Sequence, residues 1–377
     1  MLNVIDLFCG TGALSYGIER SKHDFRLVSG IDMDGLACST AQLNHDESKI
    51  ICADITRISP KRFADKAKLT QVDVVVGGPP CQGFSSLRPN RSTNTTDPRN
   101  RLYAEFAHYV AYFQPKAFLM ENVVGLLSHG NGRLLASILT RFKQIGYRTD
   151  WRVLNCAHFG IPQKRERFIL LGVRDEGKNT PDIVFPMPTH HFAGKVIGTR
   201  LKDNYIANDS AGARALSVMD AISDLPSVTA GGEAFEYLCA PRNAYQRARR
   251  SGAGSALTLH NATAHSAAML NIIKHAGSSR SALPRGLVSS GFSSTYSRLD
   301  PTEPATTITV KFTSPASSKC IHPAQHRAIT PREAARLQSF DDNFQFAGGR
   351  TQIAEQIGNA VPPVLGTVLA DSLIRLF

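Results

Sequence analysis

The sequence predicts an α/β fold: a doubly wound, mostly parallel sheet with a second, smaller and irregular domain. Three observations carry that expectation. Short runs of β-branched and apolar residues alternate with segments of helical period up to about residue 175, the rhythm of a parallel sheet with covering helices. The first run opens into a glycine-rich turn, and the second ends on an acid, Asp32, twenty residues beyond Gly12. The rhythm fades between about Pro186 and Pro323, where Pro, Ser, Gly and Thr rise, and it returns at Thr330.

Composition bounds the function. A chain of 377 residues can form one large domain or two ordinary ones. With 42% hydrophobic and 20% charged residues it has the make-up of a soluble globular protein. No uninterrupted apolar run approaches the roughly 20 residues that span a bilayer, so no membrane partner is expected. The start, MLNVIDLFCG, is too short and too uncharged for a secretory signal. Seven cysteines without a CxxC pair argue against structural zinc and against a disulfide framework. No metal is expected, and a reducing cytoplasm is the expected compartment. The net charge is +12, and from Tyr237 through Leu299 there is no Asp or Glu. That stretch holds Arg242, Arg247, Arg249, Arg250, Lys274, Arg280, Arg285 and Arg298. Basic residues among Ser, Gly, Asn and His suit a polyanion such as nucleic acid; an ordinary solvated basic face is the alternative.

Taken in order, Asn3–Phe8 reads as a strand that runs through Gly10 and Gly12 into a helix. Ser15 stands where the third glycine of a dinucleotide fingerprint would fall, which disfavours a nicotinamide enzyme. Leu27–Ile31 is the strand ending at Asp32, whose carboxylate can accept from ribose hydroxyls; capping the helix Gly35–Asn44 is the other role open to it. Lys49–Ala53 is a third strand, ending at Asp54 and Ile55. Val72–Gly78 is a strand apolar enough to be covered on both faces, and it opens into Pro79, Pro80 and Cys81. Cys81 stands where a nucleophile would be placed, with an approach stiffened by two prolines. A polar loop, Ser85–Asn100, carries Arg88, Arg91 and Arg99 and is placed to close over a polyanion. Leu102–Phe113 has helical spacing, and Lys116–Met120 is a strand ending at Glu121, on the same rim as Cys81. The segment Gly132–Ile145 is a helix, followed by the strands Tyr147–Asn155 and Arg167–Val173. Between those strands, Arg165 and Arg167 are placed on one strand face by the period of two. Thr330, Pro331 and Glu333 form a capping box with proline at the first helical position. Leu365, Val368, Leu369 and Leu373 give the terminal helix an apolar face.

Several of these strings resemble one family. The run GGPPCQGFS, residues 77–85, resembles the catalytic motif of the DNA cytosine-5 methyltransferase family. Further motifs match it in order: DLFCGTG at residues 6–12, ENV at 121–123, Gln163 with Arg165 and Arg167 in the pattern QxRxR, and PREAARLQSF and then QIGNAVPP near the end. The likeness is close over residues 1–175 and 325–377 and general in between. It implies a Rossmann-like, S-adenosylmethionine-dependent methyltransferase fold. The expected organisation is a catalytic and cofactor-binding domain over 1–185, a target-recognition domain over 186–325, and a segment over 326–377 that returns to the first.

The resemblance also implies roles. Phe8, Gly10, Gly12, Asp32, Met33, Asp54, Ile55, Pro80, Leu102, Asn359, Ala360 and Val361 would hold S-adenosylmethionine and its product S-adenosylhomocysteine. Asp54 would meet the adenine amino group and Ile55 its ring. Cys81, Glu121, Arg165 and Arg167 would be catalytic. Gln82, Phe84, Ser85, Arg88, Arg99 and Gln163, with Arg242, Arg247, Arg249, Arg250 and Arg298, would meet double-stranded DNA. A cognate restriction endonuclease is an expected partner, and a monomer the expected state.

The chemistry follows from the substrate. Carbon 5 of cytosine is a poor nucleophile until a thiolate adds at carbon 6, so Cys81 must act as a thiolate. Glu121 in protonated form would donate to ring nitrogen 3. Arg165 would bond the base carbonyl, while the neighbouring arginine holds an internal carboxylate. Both ring faces must be open, so the base is flipped out of the duplex. A tRNA-directed enzyme of the same family and a catalytically idle nucleic-acid binder are the competing readings. An amino-group methyltransferase is disfavoured because Gly78 stands where that chemistry carries Asp or Asn.

Overall fold

A sheet of eight strands organises the chain in the computed structural model. The structure describes residues 1–80, 102–192, 204–206 and 212–377. In chain order the strands are β1 (Leu2–Leu7), β2 (Phe25–Asp32), β3 (Lys49–Cys52), β4 (Val74–Gly77), β5 (Ala117–Asn122), β6 (Tyr147–Asn155), β7 (Gln163–Lys164), β8 (Glu166–Arg174), β9 (His190–His191), β10 (Tyr205–Ile206), β11 (Ala213–Arg214) and β12 (Ala305–Thr306). The sheet order is β10-β6-β8-β5-β4-β1-β2-β3. Only β8 runs against its neighbours, pairing antiparallel with β5 and β6. The order reverses between β1 and β4, and ligands bind beyond the carboxyl ends at such a switch point.

The helices are α1 (Ala13–Glu19), α2 (Gly35–Asn44), α3 (Pro60–Ala67), α4 (Leu102–Phe113), α5 (Arg133–Gln144), α6 (Val218–Ile222), α7 (Ala244–Arg250), α8 (Ala267–His275), α9 (Pro331–Leu337), α10 (Arg350–Asn359) and α11 (Pro363–Ile374). Strand alternation sorts the two cores. Val4, Val74 and Val76 face Leu365, Leu369 and Leu373 of α11 on one side. Ile5, Val75, Phe118 and Met120 face Phe106 of α4 and Phe142 of α5 on the other. All four residues of β4 are buried, as a strand covered on both faces requires.

The terminal helix lies against the first. A Cβ on Gly17 would fall 1.8 Å from the Pro363 carbonyl oxygen, so the two backbones touch only because that side chain is absent. Among the described residues, 350–374 is the one helical stretch long and apolar enough to cross a membrane by composition. It is broken at residues 360–362 and 61% of its most apolar window is buried in the protein.

Between residues 186 and 325 the described elements are short; the longest helix, α8, has 9 residues. Two of the short strands tie this segment to the first 175 residues, β10 pairing with β6 and β12 with β7. Val218, Ala221, Ile222 and Ile308 share a third core with Ala334, Leu337, Phe340 and Ile357. Ile273, Ala276, Leu283 and Ile321 form a small satellite core of their own.

Candidate active site

Three strand ends and one helix end converge on the rim. Gly77, at the end of β4, pairs with Met120, which sets Gly78 beside Glu121. A Cβ on Gly78 would fall 2.9 Å from Glu121 Oε2, and one on Gly77 2.1 Å from the Leu7 carbonyl oxygen. The two glycines are therefore a steric condition of the site. Asn122 Nδ2 donates to the Pro79 carbonyl at 2.8 Å, tying the stiff approach to Cys81 onto β5. Sequence reasoning passed over Asn122, although a polar residue closing an apolar strand at a predicted rim was a usable signal. Cys81 itself lies outside the described residues, as do Gln82, Phe84, Ser85, Arg88 and Arg99.

Glu121 is buried and its Oε1 lies 2.5 Å from Arg167 Nε. Because β8 is antiparallel to β5, its first residues share the rim with the last residues of β5. Arg167 Nη1 also donates to the Glu166 carbonyl at 2.8 Å.

Arg165 departs from expectation. The backbone breaks at this residue, between β7 and β8, so the strand alternation that put both arginines on one face does not run through it. Its guanidinium is committed to three carbonyls: Ile308 at 3.1 Å, Gly358 at 3.1 Å and Ala360 at 3.0 Å. Burial, and next the charge of Arg167, draw its pKa down to about 9, still charged at neutral pH. Arg165 ties the segment after β12 and the end of α10 to the rim, and Arg167 is the guanidinium that meets Glu121. Arg167→Ala is expected to lower kcat about 10²–10³-fold, the effect of losing one preorganised donor, with the fold retained by circular dichroism.

Gln163 also departs from expectation as a DNA contact. It is buried, its Nε2 donates to Gln338 Oε1 at 2.8 Å, and its Oε1 accepts from Ile308 N at 2.8 Å. Both polar atoms are engaged inside the protein. Cys156, behind the rim, is fully buried and its thiol is pushed up by burial to about 11, so it is inert.

On the other side of β4 lies a cradle. Phe8 is held at φ 59, Gly10 at 52 and Gly12 at 73. A left-handed Phe is the kind of strain that gathers at ligand sites. A Cβ on Gly10 would meet nothing within 4 Å, so open space lies above the turn. Asp32 Oδ2 accepts from the Gly10 N–H at 2.8 Å, and burial raises its pKa. The cap of α2 is Asp34, which accepts from Leu36 N and Ala37 N, so the capping role considered for Asp32 belongs two residues later. Met33 is 75% exposed beside this acid. Asp54 accepts from Thr56 N at 3.0 Å and from its hydroxyl at 2.8 Å, which together hold its carboxyl below the usual range. Ile55 is buried, Leu102 half-buried and Asn359 exposed, with Ala360 buried next to it and Val361 half-buried. An open glycine turn, a rim carboxylate and an exposed apolar side chain fit an adenosyl group bearing a sulfonium.

The basic stretch divides. Arg249 donates to the Ser339 carbonyl and lies 3.2 Å from Asp341. Arg250 lies 3.3 Å from Asp224 and stacks over the Tyr237 ring at 3.7 Å. Arg298 donates to the carbonyls of Ile273, Ala276, His322 and Gln325, closing the end of α8. These three, expected to meet DNA, hold the protein's own backbone and acids instead. Arg242 and Arg247 are exposed.

Known proteins resemble this chain along its length. The family profile described as C-5 cytosine-specific DNA methylase matches residues 2–375. The chain is 33% identical over 379 residues to type II methyltransferase M1.HphI of Haemophilus parahaemolyticus, covering 100% of this chain and 87% of that protein. It is 34% identical over 402 residues to M.DdeI of Desulfomicrobium norvegicum, covering 100% and 89%. A prophage-encoded DNA modification methyltransferase of E. coli superimposes with a TM-score of 0.77 at 25% identity, covering 100% of this chain and 99% of the other. With the strand ends, the glycine cradle and the Glu121–Arg167 pair in place, and a profile spanning nearly every residue, the chain belongs to the C-5 cytosine-specific DNA methylase family.

Proposed function

We propose that the protein transfers a methyl group from S-adenosylmethionine to carbon 5 of a flipped-out cytosine in a specific double-stranded DNA sequence, through a covalent Cys81 adduct at carbon 6. The observation that carries this reading is the convergence of Pro79 and Pro80 with Glu121 on adjacent strand ends, held by the Asn122 bond. Gly10, Gly12, Asp32, Met33 and the Asn359–Val361 turn would hold the donor, which supplies an electrophilic methyl on sulfur. Cys81 as thiolate adds to carbon 6, which makes carbon 5 nucleophilic. Glu121, in protonated form, donates to ring nitrogen 3 as electron density arrives there. Arg167 holds the other side of that carboxyl and reaches the base carbonyl, the part the sequence had given to Arg165. After transfer the carbon-5 proton leaves to water, the carbon 5–carbon 6 double bond re-forms, and Cys81 is expelled as thiolate.

Residues 186–325 act as the target-recognition part, between a catalytic part over 1–185 and a returning segment over 326–377. Arg242 and Arg247 are its exposed cations for phosphate. Changing both to alanine is expected to lower the slope of log K against log salt by about 2, with specificity unchanged. Relatives named type II methyltransferases support pairing with an endonuclease acting on the same site. The enzyme acts as a monomer in a bacterial or phage-infected cytoplasm.

Bisulfite sequencing of DNA from cells expressing the protein tests the activity. Protected cytosines confined to one short sequence are expected, and methylation of tRNA but not duplex DNA would overturn the reading. A duplex bearing 5-fluorocytosine at that site should crosslink to the enzyme in the presence of donor. Failure to crosslink, with methylation intact, would overturn the covalent step alone.

A further inference from the structure

Under the glycine turn lies a group of titratable side chains that the reaction above does not use. His45 follows α2 and is 4% exposed. Its Nδ1 lies 2.7 Å from Glu19 Oε2 and its Nε2 3.0 Å from the Gly12 carbonyl oxygen. A carboxylate and a carbonyl only accept, so the ring meets both partners only with a proton on each nitrogen. The contact is close. A Cβ on Gly12 would fall 2.6 Å from His45 Nε2. Glu19 is fixed in turn, because its Oε1 accepts from the Leu27 N–H of β2 at 2.7 Å.

The turn is thus held twice, at the Gly10 N–H by Asp32 and at the Gly12 carbonyl by His45. Loss of one ring proton breaks this arrangement. Either Nε2 no longer donates to Gly12, or a bare Nδ1 lone pair faces the Glu19 carboxylate.

We propose that His45 is a positioning residue for the methyl donor: as an imidazolium bridging Glu19 and the Gly12 carbonyl, it sets the peptide plane of the turn on which the donor lies, so that donor affinity follows its protonation. The inference rests on the reading that this turn holds S-adenosylmethionine. Other groups face the ring. Asp6 of β1 is buried, and burial pushes its carboxyl up to about 7 against the Ser15 hydrogen bond and the pull of His45. Tyr16 of α1 meets the ring edge-on at 6.1 Å, with its hydroxyl on Asp341 and Arg20 over its ring. Glu19 and Asp32 complete the set. Asp6 titrates near neutrality, so the test must separate it from His45.

Calorimetric titration of the full chain with S-adenosylhomocysteine between pH 5.5 and 8.5 reads the effect. Affinity of the unsubstituted protein is expected to weaken about tenfold across that range, the worth of one charge-assisted hydrogen bond. Titrations at pH 7.5 in two buffers of different ionisation enthalpy should show proton uptake on binding. In His45→Gln, which keeps one donor but cannot titrate, the affinity should be pH-independent and the uptake absent, while Asp6→Asn retains both. A pH step that survives in His45→Gln, or that vanishes in Asp6→Asn, overturns the proposal, as does binding by the unsubstituted chain without proton uptake. Should His45→Gln fail to fold, uptake measured on the unsubstituted chain and on Asp6→Asn decides the matter. No binding at any pH would instead sink the cofactor reading, a separate result.

Discussion

A Cys81→Ala variant is expected to bind S-adenosylhomocysteine and duplex DNA as the unsubstituted enzyme does, and to transfer no measurable methyl. Loss of a covalent nucleophile elsewhere costs at least on the order of 10⁴-fold in kcat, and no group here can stand in for it. The frame leading to residue 81 does not depend on the thiol. It is fixed by β4 pairing, by the Gly77 and Gly78 contacts and by the Asn122–Pro79 bond. The thiol of Cys156, beside the Glu121–Arg167 pair, is buried and pushed up by burial to about 11. Binding should therefore persist while the 5-fluorocytosine crosslink and tritiated-methyl incorporation both disappear. Incorporation within tenfold of the unsubstituted rate would refute the covalent route.

Asp342→Ala is expected to have the largest effect on folding. Every residue of α9 is buried, including three that are charged. Arg336 reaches both Asp342 oxygens at 2.6 Å and Asp224 Oδ1 at 3.0 Å. Arg332 lies 3.3 Å from Asp342 and donates to the Thr258 carbonyl and hydroxyl. Tyr237 donates to Asp342 at 2.5 Å. Asp224, Tyr237 and Thr258 come from the irregular segment, so this network fastens that segment to the returning helix. Removing the shared carboxylate leaves two buried guanidinium groups underpaired, which costs about 3–5 kcal/mol. That is a large share of an ordinary protein's stability. Urea denaturation should show the drop, and a change below about 1 kcal/mol would mean that water or a neighbour replaces the carboxylate.

The same helix carries an acid-sensitive group. Burial alone would raise Glu333, but the charge of Arg327 and its paired hydrogen bonds, at 2.7 Å each, overcome it and draw the carboxyl down to about 2. An acid depressed in the folded state stabilises the fold above its unfolded value of 4.5, and that stability is lost as pH falls through about 2. The urea midpoint should therefore fall between those limits. Glu333→Gln should remove this part of the acid dependence while lowering stability at neutral pH, because Arg327 is left underpaired.

Local signals carried much of the architecture. The continuous apolar run of β4, the helix Gly35–Asn44 and the Thr330–Glu333 capping box depend on neighbours within a few positions. So does the placing of Glu121 at a strand end beside the Cys81 approach. The division of labour between Arg165 and Arg167 was not legible, because parity along a strand fails where the backbone breaks. Nor was the internal use of Gln163, Arg249, Arg250 and Arg298. A count of basic residues records charge, whereas the carbonyl that takes up Arg249 comes from 90 residues away.

By itself, then, the sequence determined the mostly parallel sheet and the placing of Glu121 at a strand end on its rim, since each follows from short-range periodicity, caps and spacing. Tertiary structure alone decided which guanidinium meets Glu121 and that Arg249, Arg250 and Arg298 hold the protein's own backbone and acids. It also decided that a histidine, His45, stands behind the glycine turn. Irregular backbone leaves carbonyls that must be satisfied when buried, and only the folded chain shows which distant donor reaches them.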